Sequence, residues 1–199
     1  MTGIPPALSD TCRHFTYHAI EQARDAGLSI SFDPNLRPTL WRSEDEMRQV
    51  LNDLATRTDW VFPGLYEGTV LTASTTPEEI ASFYLERGVK LVAVKAGARG
   101  SSLFTSAQRY DLPAFPVRVV DTVGAGDGFA VGIISGMLDG IDLLSCLERG
   151  NAIGALAVTS PGDQDGLPSR EALNRFLQTS RSSADEISPV SSSPEISPR

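Results

Sequence analysis

Apolar side chains at Ile20, Ala23 and Ala26 recur at helical spacing. Ser9 stands where a helix needs a cap and Gly27 where it needs a stop, so residues 9–26 predict a helix. The run LSISFD (Leu28–Asp33) then predicts a strand, and Pro34 and Pro38 mark the loop after it. Ser43 with Glu46 forms a capping-box pattern that opens a helix to about Arg57. DWVFP (Asp59–Pro63) reads as a short buried strand. Thr76, Pro77 and Glu79 start another helix, which Gly88 stops. VKLVAVKAG (Val89–Gly97) is the strongest strand pattern in the chain, and GSSLF (Gly100–Phe104) and VRVVD (Val117–Asp121) predict two more. A long helix follows from Asp127, another from about Asp142 to Thr159, and a last one from Ser169 to about Gln178. Strands alternating with helices predict an α/β fold: a mostly parallel sheet with helices on its faces.

Composition changes this picture at the two ends. From Ser180 the chain reads SRSSADEISPVSSSPEISPR, with Ser, Pro and charge dominant and no aromatic residue. Such a segment cannot bury enough apolar area to offset its ordering entropy, so residues 180–199 are expected to form a disordered Ser/Pro-rich tail and residues 1–179 the folded domain. The opening MTGIPPALSD runs straight into a turn and a helix, whereas a doubly wound domain ordinarily opens on a strand; the start is expected to lie inside a longer fold. A formal net charge of −8 argues against a surface that must neutralise nucleic-acid phosphates, but leaves room for a local anion site. The two cysteines, Cys12 and Cys146, form no C-x-x-C, and no apolar run approaches membrane-spanning length. The N-terminus lacks the basic and apolar stretches of a signal peptide. A reduced, cytoplasmic protein without a membrane or nucleic-acid partner is the expectation.

Candidate chemistry concentrates in DTVGAGDGFAVGIISGM (Asp121–Met137). Gly124, Ala125 and Gly126 leave the backbone uncrowded, so successive N–H groups can converge on an anion. The helix that begins beside them adds unpaired N–H groups and the positive end of its dipole, which together suit a phosphate. Asp127 at the mouth of that site can take the proton of an attacking hydroxyl during phosphoryl transfer. No Lys-Ser or Lys-Thr follows, so this is no Walker A loop, and it is not G-x-G-x-x-G. The plainer alternative is a helix start capped by Asp127, with Gly128, Gly132 and Gly136 giving a smooth face for close packing. His14 and His18, four apart on a predicted helix, lack an H-E-x-x-H pattern and a third ligand, so they read as a helix surface pair rather than a metal site.

The stretch resembles the second signature of the PfkB (ribokinase-like) family of sugar and nucleoside kinases, D-T-x-G-A-G-D, at Asp121, Thr122, Gly124, Ala125, Gly126 and Asp127. SFDPNLRPTLW (Ser31–Trp41) and PGLYEG (Pro63–Gly68) resemble the 2-keto-3-deoxygluconate kinase branch, VKAGARGS (Val94–Ser101) the nucleotide-side strand and turn, and GALAVTSPGDQDGLPS (Gly154–Ser169) the end of the fold near the adenine pocket. The resemblance implies a ribokinase-like three-layer sandwich and an ATP- and Mg2+-dependent kinase acting on a hydroxyl of 2-keto-3-deoxygluconate or a similar acidic sugar. It implies Asp127 as catalytic base and Gly124, Ala125 and Gly126 as the anion hole for the transferred phosphate. Asp121 would help hold the sugar, and Arg37 would meet the sugar carboxylate or the phosphates, where a planar guanidinium suits either. Asn35 would lie near the nucleotide phosphates, Lys95, Gly97 and Gly100 would border the ATP site with Gly124 and Gly126, and Glu67 would place Mg2+ through water. The usual Asn of the family's N-x-x-E element is Gly64 here. Family members also carry an earlier part, on the order of a hundred residues, with most of the sugar pocket and a small β-sheet lid. This chain is therefore expected to be the C-terminal, ATP-side part without the lid. It would then be either a kinase completed by a homodimer or by a partner supplying the N-terminal half, or a nucleotide-binding fragment that no longer transfers phosphate.

Overall fold

The computed structural model describes residues 1–162 and 164–185. They form two compact units, Met1–Leu167 and a second that begins at Pro168. In the first unit a four-residue helix α1 (Pro5–Leu8) leads into α2 (Asp10–Asp25), where the Ser9 hydroxyl accepts the Cys12 N–H at 3.1 Å as its pattern predicts. Strand β1 (Ser31–Phe32) follows, then α3 (Glu44–Thr56), capped by Ser43, whose hydroxyl accepts the Glu46 N–H. After β2 (Trp60–Val61) comes a helix the periodicity does not predict, α4 (Leu65–Thr72). It is short and apolar on most sides, so no amphipathic stripe announces it. It starts because the Glu67 carboxylate reaches back to accept the Gly64 N–H at 2.7 Å. Helix α5 (Pro77–Leu85) carries the full Thr76–Glu79 capping box.

Strands β3 (Leu91–Lys95), β4 (Ser101–Phe104) and β5 (Arg109–Leu112) complete one five-stranded sheet in the order β1-β2-β3-β4-β5. It is parallel through β1, β2 and β3, then antiparallel through β4 and β5, so it is mixed. VRVVD is not a strand. The edge it would take belongs to β5, whose hairpin with β4 is closed by the Thr105 hydroxyl accepting the Ala107 and Gln108 N–H groups. Pro113 and Pro116, which lack an N–H, stop the ladder there, and residues 113–121 run on irregularly with Val119 and Val120 exposed.

Helices α6 (Ala125–Leu138) and α7 (Leu143–Ala157) cover the second face of the sheet. Strand β3 shows why the sheet needs both faces. Val92 and Val94 pack with Leu51, Leu54, Ile80 and Tyr84 from α3 and α5, while Leu91 and Ala93 pack with Phe129, Ile133 and Leu147 from α6 and α7. An apolar run with side chains alternating between two helical layers makes the three-layer α/β sandwich. The glycine row of α6 faces α7: a Cβ on Gly132 would lie 2.5 Å from the Gly150 Cα, and one on Gly136 2.7 Å from the Cys146 Sγ. The smooth packing face therefore exists.

The second unit contains α8 (Arg170–Asp185), which continues past the expected end near Gln178, so residues 180–185 of the expected tail are helical. The rest of that tail, 186–199, lies outside the described residues. Among the described residues no helix is long and apolar enough to cross a membrane.

Candidate active site

Three chain segments meet where the parallel strands end: the residue after β1, the last residue of β3, and the first turn of α6. Helix α6 starts at Ala125, two residues before the sequence reading puts it, with Gly124 as its N-cap at φ 79°. That left-handed conformation requires glycine and turns the chain so that the N–H groups of the first helical turn open outward. Asp127 falls in this first turn and is exposed. Upstream, both oxygens of Asp121 accept backbone N–H groups, Oδ1 from Val123 at 3.1 Å and Oδ2 from Gly162 at 3.2 Å. These bonds hold its carboxyl below the usual aspartate range and staple the loop that leads into α6.

Lys95 closes β3 and points at the same loop. Its Nζ lies 2.6 Å from Asp33 Oδ2, and a Cβ built on Gly126 would come within 3.4 Å of that Nζ. Both side chains are largely enclosed, at 17% and 13% exposure. Burial pushes the Asp33 carboxyl above the usual aspartate range even beside the Lys95 ammonium, and the charges of Glu67 and Asp127 push it the same way. Asp33, Glu67 and Asp127 therefore share one electrostatic neighbourhood. Among the described residues, however, no three of His, Cys, Asp and Glu converge as a direct metal cage.

Glu67 does double duty in the backbone: Oε2 accepts from Gly64, and Oε1 accepts the Leu36 N–H at 3.3 Å. The loop it touches is unusual, because Asn35 and Arg37 both take positive φ, 41° and 43°. The Trp41 indole N–H donates to the Leu36 carbonyl at 2.9 Å and holds that conformation from the far side. Arg37 is exposed.

A cavity of about 1030 Å³ opens beside the loop. Lys95, Gly97, Gly100, Ala125 and Gly126 line it, with Phe115, Val117, Val119 and Val158 forming an apolar side. Its lining does not include Gly124, Asn35, Arg37, Glu67, Asp121 or Asp127. The predicted residues thus split into a cavity set and a set on the open side of the loop, and the Lys95–Gly126 approach is the seam between them. Three residues escape the sequence reading. Arg99 lines the cavity. Asn151 supports it from α7, accepting the Ser101 hydroxyl at 2.6 Å and donating to the Pro113 carbonyl at 3.1 Å. Asp33 is the one with a legible signal, a carboxylate at the C-terminal end of a parallel strand, the edge where α/β folds place ligands. His14 and His18 are exposed on α2, and the His14 ring nitrogen meets the Asp10 carbonyl.

Residues 1–170 match the sequence profile described as pfkB family carbohydrate kinase. The chain belongs to the pfkB family. This pfkB-family chain is 54% identical over 182 residues to the 2-dehydro-3-deoxygluconokinase of Bacillus subtilis, covering 91% of itself and 56% of that protein. The crystal structure of a PfkB protein from Polaromonas sp. JS666 superposes with a TM-score of 0.78 at 49% identity, covering 87% of this chain and 55% of the other. A fructokinase from Vibrio cholerae, solved with fructose, ADP and calcium ion, superposes at 0.83 with 30% identity, covering 89% and 59%. The fold is ribokinase-like, and the chain spans about half the length of the relatives it matches.

Proposed function

We propose that this chain carries the ATP side of a carbohydrate kinase, and that the acceptor is a hydroxyl of 2-keto-3-deoxygluconate or a similar acidic sugar. One observation carries the reading: α6 begins at a left-handed Gly124 N-cap with Asp127 in its first turn, and Ala125 and Gly126 of that same turn line a cavity of about 1030 Å³, room enough for a nucleotide. The identity to a 2-dehydro-3-deoxygluconokinase supports the acidic sugar over other acceptors.

The nucleotide base and ribose lie in the cavity, with Gly97 and Gly100 allowing close approach, and the phosphates run past Lys95 and Asn35 to the N–H groups of Gly124, Ala125 and Gly126. Asp127 takes the proton of the sugar hydroxyl as its oxygen bonds to the γ-phosphorus. The bond from that phosphorus to the bridging oxygen breaks and ADP leaves. The anion site stabilises the charge that builds on the transferred group. Arg37 meets the sugar carboxylate, and Asp121 orders the loop beside it. Glu67 would place Mg2+ through water, in keeping with the outer-sphere habit of that ion and with the lack of a direct cage among the described residues. When bound, the ion neutralises phosphate charge.

The test is an acceptor panel with ATP and Mg2+. 2-Keto-3-deoxygluconate is expected to be phosphorylated in preference to fructose and ribose, and Arg37→Ala to raise KM for the acidic sugar by about tenfold or more, as loss of a charged hydrogen bond implies. Equal use of neutral sugars sinks the substrate assignment. A second reading, a nucleotide-binding chain without transfer, is favoured by a cavity whose lining does not include Asp127. ATP binding with no product from any sugar would select it.

A further inference from the structure

The charges of Glu67 and Asp127 both act on the Asp33 carboxyl, and the Lys95 ammonium is paired with Asp33. A nucleotide triphosphate brings several more negative charges to this point. The cation is placed to meet them: Lys95 lines the cavity, a Cβ built on Gly126 would come within 3.4 Å of its Nζ, and that Nζ donates to Asp33 Oδ2 at 2.6 Å. The pair is also fixed in position, because Asp33 follows β1 and Lys95 ends β3, with their backbones tied through the neighbouring strand end by the Lys95 N–H bond to the Pro63 carbonyl. An ammonium needed only to neutralise Asp33 would not have to reach the glycine loop.

Resting on the nucleotide-site reading above, we propose that Lys95 is a shared cation, clasped by Asp33 in the empty site and contacting the terminal phosphates of a nucleoside triphosphate when it binds. Asp33 is then a positioning residue that competes with the nucleotide for the ammonium. Lysine suits this use because its three donors rotate on a flexible stem and can turn from the carboxylate towards a phosphate oxygen.

The competition gives the two residues opposite signs. Calorimetric titration of the full chain with adenosine and with ATP, Mg2+ present throughout, reads them. Lys95→Met is expected to weaken ATP roughly ten- to hundredfold, the range of a charge-assisted hydrogen bond, with adenosine unchanged. Asp33→Asn releases the ammonium and removes a like charge, so ATP is expected to bind several-fold tighter, again with adenosine unchanged. Because Lys95→Met leaves a buried carboxylate unpaired, the charge-neutral double variant Lys95→Met/Asp33→Asn is measured beside it and is expected to fold and to lose most of the preference for ATP over adenosine. Retention of that preference in the double variant overturns the inference, as does equal weakening of adenosine and ATP in both single variants, the mark of a purely structural ion pair. A folded wild-type chain that binds neither ligand overturns the nucleotide-site reading and this inference with it. A wild-type chain that prefers ATP, with all variants unchanged, overturns the inference alone.

Discussion

Among the side chains that line the cavity is Asn151, an amide inside α7 with no motif around it. It is buried, and its bonds tie β4 to the chain after β5. Asn151→Leu is expected to cost about 1–3 kcal/mol, because the buried Ser101 hydroxyl loses its partner and the Pro113 carbonyl loses a donor. A urea unfolding midpoint no lower than wild type contradicts that role. Gly100 gives a second forecast: at φ 95°, a Cβ there would lie 2.0 Å from the Leu112 carbonyl oxygen. Gly100→Ala is expected to destabilise by more than about 1 kcal/mol and to reduce nucleotide binding, since the same turn lines the cavity. The contrast with Asp127 shows what can be read from sequence. Gly124, Ala125, Gly126 and Asp127 are contiguous, and the chemistry proposed for them explains their types. Asp33 and Lys95 are 62 positions apart and meet only because β1 and β3 flank the same strand. Asn151 has no local reason to be asparagine at all.

Helices with a side-chain cap at the start are legible, as α2, α3 and α5 show, and in α2 and α5 a following glycine marks the stop. What the pattern misreads are elements whose fate is settled by neighbours. VRVVD has strand composition but follows Pro113 and Pro116, which end the β5 ladder, and α4 lacks a stripe but has the Glu67–Gly64 bond to start it. The α6–α7 contact is the element pair on which the site depends, because it fixes where the first turn of α6 points. Gly132→Ala would place a methyl carbon 2.5 Å from the Gly150 Cα and 2.7 Å from the Arg149 carbonyl oxygen, both backbone atoms that cannot step aside. The helices must separate, at an expected cost of about 1–3 kcal/mol. Weaker ATP binding should accompany the loss, as the loop tilts with its helix. Unfolding and titration of the same variant test both halves, and a fully stable Gly132→Ala contradicts the packing account.

The molecule as a whole is acidic, and its ion pairs set how it responds to pH. At Asp111 the Arg109 guanidinium lowers the carboxyl. At Asp53 and Asp59 burial pushes upward but is outweighed, by Arg57 and Tyr17 in the first case and by Lys90 and the Ile30 N–H in the second. A carboxyl held lower in the folded than in the unfolded chain adds stability above its unfolded value, and that stability is lost as pH falls through the folded value. Asp33, shifted upward, works with the opposite sign, but it stands alone against several. The thermal midpoint is therefore expected to hold from pH 7 to about 5 and to fall below about pH 4. A midpoint that drops between pH 7 and 5 contradicts that balance. The fold class of the whole is legible because alternating strand and helix patterns leave few alternatives, whereas the meeting of cavity and anion loop at Lys95 is visible only once the sheet is assembled. The most direct test of the account measures ATP-dependent phosphorylation of 2-keto-3-deoxygluconate by the wild-type chain and by Asp127→Asn, with ATP affinity determined on both. The account predicts product from the wild type, a loss of about a hundredfold or more in the variant, and equal ATP affinity. Equal turnover in the two proteins, or a folded wild-type chain that does not bind ATP, contradicts it.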